Sequence, residues 1–293
     1  MSWIVFTLMG AFMQAVRVAA QKHLAQKMPV LGVTLVRYLY GLPVVTVYLL
    51  VLNVDLLPVL QAPPVVWLWI LGAGLTQIIA TIALISLFRW HNFAVGTTLV
   101  KTDLLMTAII GLVLFGLPIS WLGWVAIAIG FTGLMTLTWP GRQALGGWLS
   151  PALGVGLLAA FFFAIGALAI HRSANLLPLP TIQAAAVVLF SMIIMQIVMM
   201  AAWIQWRQKA LWQQLIPAWR PSLFIGTTSG IGSIGWFTAM SLVNPALVKT
   251  LGQIEFFFVL LITRFFFKEP IRKRELLGIS FVLLSVLMVM RAA

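Results

Sequence analysis

Two carboxylic acids, Asp103 and Glu255, lie deep inside long apolar stretches of the sequence, where an acid is unexpected unless it has a task. Each lies about ten residues into its run, which corresponds to a depth of about 15 Å at the helical rise of 1.5 Å per residue. An ionised side chain in the middle of a bilayer costs about 2.5–3.5 kcal/mol, so such residues are rare and usually functional. We therefore expect both carboxylates to bind a cationic group or to carry protons.

Three basic residues suggest the opposite ligand. The tetrapeptide LVKT occurs twice and contains Lys101 in one copy and Lys249 in the other. With Arg17, these lysines favour a carboxylate or a phosphate as the bound group. The alternative for each lysine is that it extends to the membrane surface or neutralises a neighbouring acid. Lys101 and Asp103 are about 200° apart on a regular helix, so on such a helix they cannot both point into one cavity.

Uncharged polar side chains within the apolar runs complete the candidates for a binding site. Each of them either lines a path for a solute or forms hydrogen bonds between helices. The residues are Gln14, Thr76, Gln77, Thr228 and Ser229. Trp236 lies deeper than the tryptophans near the ends of the runs, which fit the membrane interface, and is a further candidate to face the cavity.

The composition indicates a membrane protein. Of the 293 residues, 62% are hydrophobic and 8% are charged, against about 45–50% and about 25% in soluble domains. The net charge of +13 comes from basic residues that separate the apolar runs, which is typical of membrane loops and not of a nucleic-acid surface. There are no cysteines, and the three histidines and five acids are scattered, so we expect no metal and no cofactor. Motifs for a membrane enzyme, such as HExxH, are absent from the sequence.

Ten apolar runs are each long enough to cross a bilayer, which requires about 20 residues. The first is interpreted as a retained span, since it has no basic segment before it. Short links between several runs predict antiparallel pairs of helices. The fold class is therefore an all-α membrane protein. The runs are 2–21, 30–52, 65–88, 93–115, 119–138, 150–171, 179–204, 222–242, 245–267 and 275–291.

The charges of the loops predict an orientation. With ten spans, both termini lie on one side, where the loops and termini carry Arg172 and Arg291. The excess of basic residues on the other side places those loops in the cytoplasm and both termini outside. The basic residues on the predicted cytoplasmic side are Lys22, Lys27, Arg89, Arg142, Arg207, Lys209, Arg220, Lys268, Arg272, Lys273 and Arg274.

The two halves of the chain, 1–140 and 141–293, resemble each other. The segment GAFMQAVRVAAQKHLAQKMP aligns with AFFFAIGALAIHRSANLLP, and NFAVGTTLVKTDLL aligns with NPALVKTLGQIEFF. Each half holds five predicted spans, and an odd number predicts that the second half is inverted relative to the first. Inverted repeats are common in secondary transporters, whose substrate site lies near the middle of the membrane between the repeats.

Two registers of this repeat are possible. The ungapped alignment places Asp103 opposite Glu255, whereas alignment on the LVKT tetrapeptides places Lys101 opposite Lys249. The two registers differ by about one helical turn. Both acids and both lysines can line one cavity in either case.

The chain resembles the drug/metabolite transporter superfamily, specifically its EamA-type ten-helix members. Besides the two five-helix halves, the similarity rests on RYLYGLPVV, which contains Arg37, and on FFFKEPIRKRELLGISFVLLSVLMV near the end, with Glu269 and Gly278. The first half departs from this second pattern at Leu117, where the family usually has Glu. The resemblance implies export of small metabolites, such as amino acids or drugs, across a bacterial inner membrane. Many such members are described with cytoplasmic termini, opposite to the orientation that the loop charges predict.

The leading hypothesis is a secondary transporter that moves small organic solutes outward by alternating access at a central site. Its expected partners are the solute, the lipid bilayer and protons as a coupling ion. A flippase for a phosphate-bearing lipid, which would use the lysines, and a non-transporting membrane scaffold are the alternatives.

A G-x-G-x-x-G match at residues 230–235 resembles a nucleotide-binding turn. It lies inside one continuous apolar run, without the strand and the later acid that such a turn requires. Small residues in membrane helices allow close helix contacts. We therefore expect a slim helix that forms a wall of the central path. The residues of this wall are Gly226, Gly230, Gly232 and Gly235.

Overall fold

The structure is a computed structural model, and it describes residues 2–55, 57–87, 98–138, 151–265 and 273–292. All regular secondary structure in these ranges is helical. The helices are α1 (Ser2–Ala25), α2 (Val30–Leu39), α3 (Leu42–Val51), α4 (Leu57–Leu60), α5 (Pro64–Leu87), α6 (Asp103–Phe115), α7 (Trp121–Thr138), α8 (Pro151–Leu176), α9 (Thr181–Arg207), α10 (Leu211–Leu215), α11 (Trp219–Leu242), α12 (Pro245–Gly252), α13 (Glu255–Phe265) and α14 (Lys273–Ala292).

Eight helical segments in the described ranges are long and apolar enough to cross a membrane, against ten in the prediction. The eight include α2 and α3 as one segment and residues 98–115 as another. The two predicted spans outside this set are α11, which is rich in Gly, Ser and Thr, and the pair α12 and α13, which a turn at Gln253–Ile254 interrupts. Long apolar helices make the chain an integral membrane protein.

Several sequence predictions fall outside the described residues. The boundary expected between 140 and 141 is one of them. Four of the basic residues in the orientation argument are others, together with part of the C-terminal pattern that carries the resemblance. These residues are Arg89, Arg142, Lys268, Glu269 and Arg272.

The most extensive helix contacts all join the first half of the chain to the second. They are α1 with α11, α5 with α8, and α7 with α14. In the repeat alignment α1 corresponds to α8, and α5 corresponds to α11. The first helix of each half therefore packs on the third span of the other half. Such reciprocal contacts are what a two-fold relation between two similar units produces.

Glycines permit the close approach of α1 and α11. A Cβ atom at Gly235 would lie 2.7 Å from the backbone nitrogen of Gly10, and one at Gly232 would lie 3.2 Å from Cβ of Met13. The wall residues Gly226 and Gly230 likewise face the α2–α3 region, at Tyr40 and at the carbonyl of Gly41. A slim helix either allows tight packing or leaves open volume beside the central path. Tight packing is thus the one found along most of α11.

Candidate functional site

Both intramembrane acids begin a helix that follows a break. Lys101 and Thr102 form a turn before α6 starts at Asp103, and Gln253 and Ile254 form a turn before α13 starts at Glu255. The first N–H groups of a helix carry partial positive charge and favour a nearby carboxylate. This shared position agrees with the register that places Asp103 opposite Glu255.

The turn at Lys101 and Thr102 stands where the sequence predicted a regular helix. On a regular helix Lys101 and Asp103 would point in different directions, yet both line the same cavity in the structure. The turn is tighter than an α-helix here, because the N–H groups of Lys101 and Thr102 donate to carbonyls three residues earlier. The rotation from Lys101 to Asp103 therefore differs from that of a regular α-helix.

Two ion pairs connect the halves of the chain. Lys249 Nζ lies 2.6 Å from Asp103 Oδ2, and Lys101 Nζ donates to Glu255 Oε1. Each pair joins a lysine of one half to an acid of the other. The side chain of Lys249 is 9% exposed and that of Lys101 is 29% exposed, so the first pair is the more deeply buried on its basic side.

Further polar contacts extend this pairing into α1. Gln14 Nε2 donates to the second oxygen of Glu255, and Arg17 Nη2 donates to Gln14 Oε1 at 3.5 Å. Lys249 also donates to the carbonyl of Phe163 at 3.2 Å. The acids are thus held by side chains from several helices, and a movement of one half relative to the other must rearrange them.

These side chains surround a cavity of about 60 Å³, which we call the central cavity. A space of this size holds a few water molecules, whereas sites for small organic molecules usually measure about 300–1,000 Å³. A small organic molecule would therefore fit only if the cavity were wider. Its lining consists of Gln14, Lys101, Asp103, Leu104, Leu134, Trp236, Lys249, Gly252, Gln253, Glu255 and Phe256.

The structure brings most of the predicted site residues together at this cavity. Arg17 reaches it through Gln14, and Trp236 packs over Gly252 in its wall. Thr228 does not take part, because its hydroxyl donates to the carbonyl of Phe224 at 2.7 Å within its own helix. The remaining predicted residues, Thr76, Gln77 and Ser229, lie elsewhere.

Gln77 lines a second, smaller space of about 10 Å³, which we call the second cavity. The wall glycine Gly230 borders the same space. Its other polar or charged lining residues are Arg37, Tyr38, Gln196, Ser229 and Ser233.

Several lining residues were not among those predicted from the sequence, for different reasons. Gln196 stands alone in the apolar run SMIIMQIVMM, so the criterion that selected the charged residues would have found it. Gln253 stands two residues before Glu255 and would have been found in the same way. Tyr38 and Phe256 carry no such signal, because aromatic residues are common in membrane helices and only the packing shows which of them face a cavity.

Within the described ranges, no group of three or more His, Asp or Glu side chains is arranged to hold a metal ion. The chemistry that these residues support is the binding and release of charged or polar groups.

Comparison with known proteins places this geometry in a family. A solved structure described as "Crystal structure of protein" superposes with a TM-score of 0.76, at 16% identity, and the alignment covers 99% of this chain and 97% of the other. At this identity the likeness shows the fold. No curated protein matches the chain. The EamA-like transporter family matches residues 1–139 and again residues 150–291, so almost the whole sequence is accounted for by two copies of one unit. The chain belongs to the EamA-like transporter family, a family of membrane transporters.

Proposed function

We propose that this chain is a secondary transporter of small polar organic solutes, with the central cavity as its solute site. The observation that carries the proposal is the crossed pairing of Lys101 with Glu255 and of Lys249 with Asp103. Charged groups are costly at this depth and are retained in membrane helices where they mark a path for solutes or ions.

The ion pairs provide a mechanism for coupling solute binding to movement. Loss of one partner from a buried pair costs about 3–5 kcal/mol, because the other charge is left uncompensated. A solute that offers its own charged or polar groups to Asp103, Glu255 or the lysines can replace the lost partner. The halves then separate readily when a solute is bound and only rarely when the cavity is empty.

Protons are the proposed coupling ion. When the cavity widens and a lysine moves away, its carboxylate remains in a poorly solvated place. Neutralisation by a proton is then less costly than leaving the charge unpaired. Asp103 and Glu255 would thus bind protons in the part of the cycle in which their lysines are displaced.

Two inverted repeats of five spans each, 1–140 and 141–293, complete the proposed architecture. The reciprocal contacts of α1 with α11 and of α5 with α8 support it, since each half supplies the same two surfaces to the other. The ten spans include α11 as the eighth, with α12 and α13 together as the ninth. A broken helix that lines a polar cavity is tolerated at membrane depth and is common at the sites of secondary transporters.

The proposed location is the bacterial inner membrane, with the basic loops in the cytoplasm, both termini outside and solute export as the direction. The excess of Lys and Arg on one set of loops supports this orientation. A lipid flippase is less well supported than a solute transporter. The headgroup would have to displace an acid from each lysine, because both lysines are already paired.

Solute counterflow in proteoliposomes tests the proposal. The panel contains amino acids, organic cations, carboxylates and phosphorylated compounds. We expect at least one solute to exchange through the wild type and to exchange at least tenfold more slowly through the variants Lys101→Gln, Asp103→Asn and Glu255→Gln.

Two substitutions at exposed positions serve as matched controls, Lys209→Gln and Asp55→Asn. They alter the same residue types away from the cavity and should leave exchange unchanged. Normal exchange by all three cavity variants would show that the site is elsewhere. No exchange of any solute, with folded protein, would instead favour a scaffold, and movement of a labelled phospholipid would favour a flippase.

A further inference from the structure

The second cavity contains buried polar atoms that have no partner. Among the described residues, the hydroxyl of Tyr38, the hydroxyl of Ser229 and Oε1 of Gln196 make no hydrogen bond, and each of these residues is at most 3% exposed. About nine-tenths or more of buried polar groups in proteins are paired. Three unpaired atoms at one small cavity therefore indicate a place for a polar group that comes from outside the chain.

The unpaired atoms define the chemistry of that group. Tyr38 and Ser229 can donate hydrogen bonds, and Arg37 at the same cavity adds N–H groups beyond the one that Nη1 gives to Thr81 at 3.0 Å. Gln196 differs, because its Nε2 donates to the carbonyl of Gly74 at 3.2 Å and its oxygen is left as an acceptor. These groups thus offer several donors, one of them charged, and the amide oxygen of Gln196 as the one that can only accept.

The charges around the cavity also favour an anion. Arg17 and Arg37 form no ion pair with any acid in the part of the chain that the structure describes, whereas the two intramembrane lysines are both paired. Both arginines lie about 10–12 Å from the same turn between α1 and α2, at the helical rise of 1.5 Å per residue. They thus place two positive charges without a direct ion-pair partner at nearly the same depth, where an unpaired charge is costly.

Arg17 links the second cavity to the central one. Its side chain donates to Gln14, which lines the central cavity, and it interacts electrostatically with Glu255 on that side. Its charge is also near Arg37 and Tyr38, which line the second cavity, and Arg37 repels it. Arg17 is 5% exposed, so its charge is buried close to residues of both cavities.

We infer that the second cavity binds the carboxylate of a transported organic anion whose neighbouring carbon carries a hydroxyl group. Arg37, Tyr38 and Ser229 donate to the carboxylate, and the hydroxyl of the solute donates to Gln196. The volume of about 10 Å³ fits about one oxygen-sized group, so the second cavity, like the central one, must widen when the carboxylate and the hydroxyl enter. The carbon chain of the solute then extends past Arg17 toward the central cavity. This inference rests on the proposed function, because it identifies the class of solute that the transporter moves.

Isothermal titration calorimetry of the purified full-length protein tests this assignment. The probes are 2-hydroxyisocaproate, its amide, isocaproate and inorganic phosphate. The amide lacks the charge, and isocaproate lacks the hydroxyl. We expect the wild type to bind 2-hydroxyisocaproate at least tenfold more tightly than the amide, since hydrogen bonds to charged groups contribute about 1.5–3 kcal/mol. The wild type should also bind 2-hydroxyisocaproate several-fold more tightly than isocaproate.

Two variants assign this preference to the second cavity. Arg37→Gln should remove most of the discrimination between acid and amide, and Arg37→Lys should restore part of it. Ser229→Ala removes only an unpaired hydroxyl, so it should weaken binding of the acid several-fold without lowering thermal stability. Arg172→Gln, at an exposed arginine on α8, is the matched control and should bind like the wild type.

Specific results would overturn the inference. Equal affinity of the wild type for acid and amide is one, and loss of affinity for both probes in equal measure in Arg37→Gln is another. Unchanged binding by Ser229→Ala would show that this hydroxyl has no ligand, and tighter binding of phosphate than of the hydroxy acid would exclude the carboxylate. Counterflow of other solutes without such binding would leave the transporter intact and reject only the subsite. Binding of the hydroxy acid without counterflow of any solute would keep the subsite and reject the transporter.

Discussion

Lys249 Nζ lies 2.6 Å from Asp103 Oδ2, so a lysine from the second half of the chain neutralises an acid from the first half. Each residue has an opposite charge nearby in its own half, Lys101 for Asp103 and Glu255 for Lys249, yet both ion pairs form between the halves. The pairing therefore depends on the assembly of both halves around one cavity.

Removal of one charge from this pair should destabilise the protein more than removal of both. Asp103→Asn leaves Lys249 buried without its acid, and we expect a loss of about 3 kcal/mol, or roughly 6–12 °C in Tm for a chain of this size. The double variant Asp103→Asn with Lys249→Met should recover at least half of that loss. Thermal unfolding in detergent measures both values. A double variant less stable than either single one would contradict the pairing as the source of the loss.

The two lysines should differ in their effect on stability. Lys101→Gln leaves the carboxylate of Glu255, which is 9% exposed, without its lysine, whereas Lys249→Gln leaves that of Asp103, which is 21% exposed. Water can therefore compensate more of the charge that remains after Lys249→Gln. We expect Lys249→Gln to lower Tm by less than Lys101→Gln does. The same thermal unfolding assay compares them, with the exposed Lys209→Gln as the reference for a lysine outside the membrane region. Equal losses of Tm in the two variants would indicate that water reaches both unpaired carboxylates to the same extent.

Substitution of the two acids should impair proton-driven accumulation of solute more than it impairs solute exchange. In the proposed cycle, Asp103 and Glu255 take up protons when their lysines are displaced. An imposed pH gradient should therefore drive solute accumulation by the wild type. Asp103→Asn and Glu255→Gln should lose this response even under conditions in which residual exchange can still be measured. If the pH gradient does not change solute accumulation by the wild type, protons are not the coupling ion.

Glycines at the α1–α11 contact should tolerate no side chain. At Gly235 an added Cβ would meet the backbone of Gly10, so we expect Gly235→Ala to lower Tm. At Gly72 and Gly154 nothing lies within 4 Å of that position. Replacement of either by Ala should be neutral or add about 0.5–1 kcal/mol, as is usual for a helical glycine. Equal changes of Tm in Gly235→Ala and in the two control variants would show that the close approach of α1 and α11 is not needed for stability.

The absence of native cysteine makes the orientation easy to test. Gln61 lies in the loop before α5 and Lys209 in the loop after α9, and both are exposed. The proposed orientation predicts that Gln61→Cys reacts with a membrane-impermeant maleimide in intact cells. Lys209→Cys should react only after the cells are permeabilised. The reverse pattern would place the termini in the cytoplasm.

Much of the fold could be predicted because apolar runs and their breaks are visible in a single sequence. Asp103, Glu255, Lys101 and Lys249 were predictable as site residues because a charge inside an apolar run is costly and stands out. Which acid meets which lysine was not predictable. That choice depends on how two halves separated by more than a hundred residues pack against each other.

The breaks within helices were also hidden. The segment around Lys101 contains neither Pro nor Gly, so nothing in it announces a turn, and a regular helix was the natural expectation. The same holds for Gln253 and Ile254, although Gly252 stands just before them. Tertiary contacts at the cavity, including the two ion pairs, accompany the local departure from helical geometry. The second cavity was missed for a related reason. Gln77 and Ser229 were candidates to line a path, but nothing in the sequence indicates that they meet Tyr38 and Gln196 at one cavity.

The crossed ion pairs have a consequence for how the protein is made. During synthesis Lys101 and Asp103 enter the membrane before Lys249 and Glu255 exist, so for that interval both early charges lack the partners of the finished protein. Until the second half is inserted, water or the insertion machinery must therefore stabilise the charges of the newly made first half. Separately expressed halves should accordingly be degraded when made alone and accumulate when made together. Quality control can thus recognise an incomplete chain by its exposed charges.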